Sequence, residues 1–154
     1  DHSYYSIPLA ADILDRRLGE LDRYDPADAV RLKGEVLHAI LCHHSRETPL
    51  TEEAGVVRIA DALDMERGRS RIPYEKGGRG INTLSSQAIR RVSLRADERA
   101  SVMVEIEMTE AVCVYQVDEL LKHKLNDSGL EEHVRIVAVN THSGGSDLVE
   151  RIEM

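Results

Sequence analysis

The chain has 154 residues, which is enough for one or two compact units that bury a core without disulfide staples. Its formal net charge of −8 disfavours general nucleic-acid binding, and it has no apolar run approaching the roughly 20 residues that cross a bilayer. Phenylalanine and tryptophan are absent, so the core must be aliphatic, and the widely separated Cys42 and Cys113 are expected to be reduced thiols in a cytoplasmic protein.

The first half of the chain carries the residue spacing of three amphipathic helices. The first follows the polar start of the chain. The second begins after Asp25, a capping residue followed by a proline suited to the first helical position, and is predicted from about Pro26 to Ser45. The third follows the capping residue Thr51 and is predicted to extend to about Arg67.

A loop rich in glycine and basic side chains follows the third helix. Its charged residues are Glu66, Arg67, Arg69, Arg71, Glu75, Lys76 and Arg79. Such a loop is suited to bind a phosphate group, but a solvated surface run has the same composition, and the residues alone leave both interpretations open. The run from Gly77 to Gly80 lacks the Lys-Ser/Thr ending of a P-loop, so it is weak evidence for phosphate binding.

The second half of the chain has the patterns of a small sheet with one helix. Two segments rich in β-branched residues, Ala88 to Arg95 and Ser101 to Met108, predict an antiparallel hairpin. A helix beginning after Thr109 should end in the polar turn 126–129, and His133 to Asn140 is predicted to be a third strand.

Together these elements predict an α+β fold in two parts. Residues 1–83 are expected to form a helical domain that includes the basic loop. Residues 84–154 are expected to form a small ββαβ unit with a flexible, glycine-containing tail.

Imidazoles and carboxylates on the second and third helices are the candidate chemical groups. His43 lies at the end of one helix and Asp61 lies past the middle of the next, so antiparallel packing can bring them together. A neutral imidazole with a carboxylate is a suitable ligand set for a divalent transition metal. The alternative is that His43 and His44 interact only with the helix end and that Asp61 pairs with Arg58, and spacing alone does not decide.

Two other kinds of site receive less support from the sequence. His38 and Cys42 have the spacing of zinc ligands on one helix, but no partner Cys pair is present to close a structural site. There is also no Gly-x-Ser-x-Gly elbow or reactive cysteine context that would indicate covalent catalysis.

Two segments carry a family resemblance. They read Ile-Leu-Cys-His-His at 40–44 and Ile-Ala-Asp-Ala-Leu-Asp at 59–64. This pattern resembles the closing half of the HD-domain metal-dependent phosphohydrolases, roughly over residues 1–80, and the segment 64–75 is similar to an archaeal branch of that superfamily. The resemblance implies an all-helical bundle that holds one or two divalent metals through several histidines, a His-Asp dyad and a final Asp.

The resemblance implies a set of metal ligands when it is carried over residue by residue. Asp61 matches the final Asp, His43 the late histidine, and His2 the middle histidine of the two-metal members. His44 matches a further imidazole that serves as ligand or phosphate contact, so Asp61 and His44 are also the candidate catalytic residues. No His-Asp dipeptide occurs in the chain, so we expect either a fragment, which the abrupt start at Asp1 favours, or a degenerate member that binds without hydrolysing.

The sequence therefore predicts a metal-dependent phosphohydrolase that acts on a nucleotide or another phosphoester by metal-activated water. The cofactor would be a divalent metal, with Mn, Fe, Mg, Zn and Ni left open, and Arg69, Arg71 or Lys76 would neutralise the substrate phosphate. The α+β unit would be an oligomerisation or regulatory surface, because three strands leave edges that need covering. The alternative prediction is a non-catalytic module that binds a nucleotide or a partner protein.

Overall fold

The structure is a computed structural model, and it describes most of the chain. The described residues are 2–21, 23–44, 46–66, 72, 75–77, 80–113, 115–141 and 151–153, of which 82, 111, 120 and 151–153 are described by their backbone alone. The flexible tail predicted at 143–146 lies outside these residues.

Three helices form the first part of the fold. They are α1 (His2–Gly19), α2 (Pro26–Cys42) and α3 (Glu52–Leu63). The Asp25 carboxylate accepts hydrogen bonds from the backbone N–H groups of Ala27 and Asp28, and the Thr51 hydroxyl accepts one from Ala54, so both predicted caps are confirmed. α2 and α3 end a few residues earlier than predicted, because the cap chemistry of a helix start is more strongly marked than that of its end.

α1 packs along α2, and near its C-terminal end Asp15 pairs with Lys33 of α2. Ser3 is its buried residue, whereas Tyr5 and Leu9 are 75% and 69% exposed. His2 itself is exposed, and its Nε2 contacts His43 at the end of α2. Among the described residues, the structure contains no helix with the length and apolar content needed to cross a membrane.

The second part of the fold is a sheet with short helices. Its elements are α4 (Ile81–Gln87), β1 (Ile89–Asp97), β2 (Ser101–Met108), α5 (Lys122–Leu125), β3 (Val134–Asn140) and β4 (Arg151–Glu153). The strand order is β1-β2-β3-β4, with β1 antiparallel to β2, β2 parallel to β3, and β3 antiparallel to β4. The predicted α+β class, with helices first and a ββαβ unit after them, is confirmed, and β4 is an addition to it.

The crossover between the parallel strands β2 and β3 changes its helical geometry along its length. It begins with a 3₁₀ turn at Ala111–Cys113, continues as a π-helical turn at Gln116–Leu121 and ends as α5. Its buried apolar side chains recur every four residues: Cys113, Val117, Leu121 and Leu125. A spacing of four residues is longer than one α-helical turn and shorter than one π-helical turn. The mixed helical geometry therefore keeps these four side chains facing the sheet. These four side chains form the apolar face of the crossover and belong to the buried core cluster.

α3 joins the helices to the sheet. Ile59, Ala62 and Met65 belong to the same buried cluster as Ile106 on β2 and Ile136 on β3. The core is therefore continuous across residue 83, where the sequence predicted a domain boundary, and the division into two domains stays a prediction.

Gly55 allows α3 to approach the turn after α5 at backbone distance. A Cβ atom built on Gly55 would overlap the carbonyl oxygen of Ser128, which is itself 2% exposed. That turn ends the helix as predicted, with Asp127 and Gly129 at φ of 65° and 78°. The close approach brings the C-terminal end of α5 against α3.

Candidate metal centre

Three histidines meet where the start of α1 lies against the end of α2. His2 is the first residue of α1, and His43 and His44 follow the last turn of α2. The ring centroids of His2 and His43 are 4.8 Å apart, those of His2 and His44 are 5.9 Å apart, and those of His43 and His44 are 6.4 Å apart. The structure thus brings together the three imidazoles that the sequence proposed as ligands.

The closest pair of imidazoles points reactive nitrogens at each other. Nε2 of His2 and Nε2 of His43 lie 2.7 Å apart. On its other side, His43 donates from Nδ1 to the carbonyl oxygen of Ile40 at 2.6 Å, which places the proton of the neutral ring on Nδ1 and leaves a lone pair on Nε2. A metal-binding histidine usually donates from its other ring nitrogen to a carboxylate, a backbone carbonyl or water, and the Ile40 carbonyl is a partner of this kind.

The separation of the two nitrogens is that of a hydrogen bond. Two imidazole nitrogens that bind one cation at about 2.1 Å lie about 3.0 Å apart at a right angle and about 3.4 Å apart at the tetrahedral angle of zinc. The 2.7 Å between His2 and His43 is shorter than either separation, so the two rings would have to move apart to share an ion. If both rings are neutral and no ion lies between them, the Nε2–H of His2 donates to Nε2 of His43.

His44 carries a buried nitrogen without a hydrogen bond. Within the described residues, its Nδ1 has no hydrogen-bond partner although it is shielded from solvent. Burial lowers the pKa of His44 below its usual value, and the charge of Lys124 and the two neighbouring imidazoles lower it further. His44 is therefore neutral at pH 7, the protonation state in which an imidazole can bind a cation.

Asp61 is paired with a lysine from the other part of the fold. Its carboxylate accepts a hydrogen bond from the ammonium of Lys124, and the two side chains are 34% and 16% exposed. In the described ranges, the structure contains no group of three or more His, Cys, Asp and Glu side chains arranged to hold a metal. The three histidines thus lie together. The Asp61 carboxylate, which was predicted to complete the set of metal ligands, is paired with the ammonium of Lys124 instead.

Arg58, proposed from the sequence as the partner of Asp61, occupies a different position. Its side chain is 1% exposed and donates to the backbone carbonyls of Glu47, at 2.6 Å, and Lys124, at 3.1 Å. It therefore ties α3 both to the loop after the histidines and to α5. A buried guanidinium is satisfied here by carbonyl oxygens, which the sequence pattern did not indicate.

His38 and Cys42 belong to a hydrogen-bonded network at the end of α2. Nε2 of His38 accepts a hydrogen bond from the backbone N–H of Leu50 at 3.0 Å, and Nδ1 lies 3.5 Å from the Cys42 sulfur. The thiol in turn donates to the Thr48 carbonyl at 3.7 Å, and burial raises its pKa. This network fixes the loop between α2 and α3, so its role is structural.

Tyr4 provides a further attachment between α1 and the same loop. Its hydroxyl donates to the carboxylate of Glu47, and this bond raises the pKa of Tyr4. The first turn of α1 is thereby held by two contacts, one from Tyr4 to Glu47 and one from His2 to His43.

The predicted phosphate-binding residues are only partly described. Lys76 is exposed, and no described contact joins it to the histidines. Arg69 and Arg71 lie outside the described residues. Lys124 is the cation that the structure does place beside Asp61, and sequence reasoning missed it because 63 positions separate the two residues.

The chain is similar to an uncharacterized protein of Methanocaldococcus jannaschii. The two are 34% identical over 137 residues, which cover 89% of this chain and 52% of that protein. The chain therefore spans about half the length of this curated relative. No protein-family model matches the chain. No solved structure matches it either.

Proposed function

We propose that this chain contributes a histidine-based part of a divalent-metal site to a phosphohydrolase that acts on a nucleotide or another phosphoester. The observation that carries the proposal is the pair of facing Nε2 atoms of His2 and His43, 2.7 Å apart, with His43 oriented by the Ile40 carbonyl. His44 lies in the same cluster, with its ring centroid 5.9 Å from that of His2, and its buried Nδ1 has no hydrogen-bond partner among the described residues.

The residues present fit a divalent cation in their chemistry. Neutral imidazoles and a carboxylate suit Mn, Fe, Zn or Ni, and the lowered pKa of His44 keeps its ring unprotonated at pH 7. His2, His43 and His44 would hold the ion, and Asp61 is the carboxylate that the resemblance adds. Such an ion lowers the pKa of water toward neutrality and neutralises charge on a phosphoryl group, which is the chemistry that phosphoester hydrolysis requires.

The groups of this chain would have separate tasks in that reaction. The bond from His43 to Ile40 keeps Nε2 of His43 facing Nε2 of His2. The attachment of Tyr4 to Glu47 keeps the His2 end of α1 in place. The chain spans about half the length of its curated relative. The activity and the substrate of the whole protein are therefore also proposed here.

The metal content of protein purified without chelator, determined by inductively coupled plasma mass spectrometry, tests this proposal. We expect bound transition metal in the wild type, its loss in His43→Ala, and no loss in a control, His133→Ala, which changes an exposed histidine in the turn before β3. With added Mn²⁺, the wild type should release phosphate from a nucleotide panel. Equal metal content in wild type and His43→Ala would show that the ligand assignment is wrong.

A second candidate function is a metal-independent module that binds a nucleotide or another anion. It is favoured by the pairing of Asp61 with Lys124 and by the absence of a three-ligand cluster among the described residues. This alternative predicts that the metal-free protein binds nucleotide and that added Mn²⁺ gives no phosphate release. Phosphate release that depends on Mn²⁺ and on His43 would exclude it.

A further inference from the structure

We propose that two copies of this chain pair along the outer edge of β1, the side of that strand that faces away from β2. The two sheets join across a two-fold axis that passes between the two Leu94 residues. This inference goes beyond the proposed metal site and does not depend on it. It names one edge of the sheet as the interface and a second copy of the chain as its partner.

The outer edge of β1 presents backbone groups to a further strand. In the part of the chain that the structure describes, β1 ends the sheet order and pairs with β2 alone. The N–H of Val92 points to the outer edge, because it donates to the carboxylate of Glu66 at 2.8 Å. Backbone groups on a strand repeat every two residues, so the N–H and C=O groups of Leu94 and Ala96 point the same way. The strand is 9 residues long and contains no proline that would block pairing.

Leu94 is an exposed apolar side chain on this edge. It is 62% exposed, whereas Val104, its partner on β2, is 1% exposed and belongs to the buried core cluster. Cross-strand partners share a face of the sheet, so Leu94 lies on the face that carries the core. A strand placed beside β1 would extend this apolar face and cover Leu94.

The charges of β1 indicate that the added strand is a second copy. Arg90 and Arg91 lie near the start of the strand, and Asp97 and Glu98 lie at its end and just after it. Asp97 is already bonded to Arg135, whereas Glu98 is exposed. Antiparallel pairing of two copies places the basic start of each strand opposite the acidic end of the other, which is favourable at both ends. A uniformly basic or uniformly acidic strand would match only one end.

One register satisfies the backbone groups on the edge. With Leu94 opposite Leu94 of the second copy, the two residues exchange both of their hydrogen bonds. Val92 then lies opposite Ala96 of the second copy, whose carbonyl takes the place of the Glu66 oxygen at the Val92 N–H. Apolar side chains therefore meet apolar side chains on the core face.

The charges disfavour the neighbouring registers. In the register centred on Leu94, Arg91 lies opposite Asp97 of the second copy. The outward groups alternate, so the pairing can slip only in steps that move the opposing residue by two. A slip in one direction places Arg91 opposite Arg95, and a slip in the other places the two Arg95 side chains opposite each other. Like charges directly opposite each other destabilise a strand pair.

The experiment measures self-association of the full chain by sedimentation velocity from about 10 μM to about 1 mM. This range suits a weak dimer, because pairing along one edge buries little surface. The variants are Leu94→Lys and Arg91→Asp. Their matched controls are Leu50→Lys, at an 85% exposed leucine before α3, and Arg31→Asp, at an 80% exposed arginine side chain on α2.

We expect the wild type to dimerise with a Kd on the order of 100 μM. Leu94→Lys should raise the Kd about tenfold or more, because it places two ammonium groups beside the two-fold axis. Arg91→Asp should raise the Kd about tenfold, because it replaces two symmetry-related attractions by repulsions. Both controls should associate as the wild type does. Circular dichroism checks that each variant is folded, and Arg91→Asp decides the matter if Leu94→Lys does not fold.

Three results would overturn the inference. A wild type that stays monomeric up to about 1 mM would show that β1 does not pair with a second copy. Equal association of Leu94→Lys and Leu50→Lys would show that the copies meet at another surface. Tighter association of Arg91→Asp would refute the register centred on Leu94, because an aspartate gains from facing Arg95 only in the slipped register.

Discussion

Substituting Gly55 by alanine should destabilise the protein although alanine is the better helix former. In the interior of a helix this change alone favours folding by about 1 kcal/mol. Here, however, the added methyl group would overlap the Ser128 carbonyl oxygen and lie 3.4 Å from its carbonyl carbon. Because these atoms are backbone, no side-chain rotation relieves the clash, and overpacking of this kind costs about 1–3 kcal/mol. The expected net effect is a loss of about 1 kcal/mol.

Gly34→Ala is the matched control for this prediction. Gly34 also lies within a helix, α2, but a Cβ atom built there has open space around it. That variant should be about 1 kcal/mol more stable than the wild type. The two substitutions should thus change the free energy of unfolding in opposite directions, and the two variants should differ by about 2 kcal/mol. Urea denaturation with unchanged m-values measures both. If Gly55→Ala gained stability as Gly34→Ala does, the close contact between α3 and the turn after α5 would be refuted.

Two further predictions concern stability. Arg58→Met should cost about 2–4 kcal/mol, because two buried carbonyls lose a charged donor, whereas the exposed Arg31→Met should change the free energy of unfolding by less than about 0.5 kcal/mol. Equal urea midpoints for the two would contradict this. The hydrogen bond from Arg135 holds the pKa of Asp97 at about 2, below its usual 3.8. The ionised Asp97 therefore stabilises the folded protein fully above pH 4, and this contribution to the free energy of unfolding is lost as the pH falls toward 2. Thermal denaturation between pH 5 and 2 should therefore show a steeper loss in the wild type than in Asp97→Asn, and parallel curves would argue against it.

Local chemistry explains which parts of the fold were predictable. The starts of α2 and α3 follow from Asp25 and Thr51, whose side chains bond to backbone groups two or three residues away. The hairpin of β1 and β2 likewise follows from short-range alternation. The parallel pairing of β2 with β3 depends on how the crossover packs, and nothing in the two strand sequences distinguishes it from an antiparallel arrangement.

Only part of the candidate site could be predicted from the sequence. The family resemblance placed His2, His43 and His44 together, and the structure agrees with that proximity. Lys124 could not be predicted, because its pairing with Asp61 arises from tertiary packing between distant segments. Arg58 could not be predicted either, since arginine is usually exposed and its burial depends on carbonyls from two distant segments, the loop after α2 and α5.

The most direct test of the central claim is to observe the histidine nitrogens during metal addition. In a ¹⁵N NMR spectrum of the imidazole groups, titration with Zn²⁺ should shift Nε2 of His2 and of His43 together. The Nδ1 proton of His43 should remain, because it is bonded to the Ile40 carbonyl. Unchanged resonances at both residues, or shifts confined to an exposed histidine such as His133, would contradict a metal site at this position.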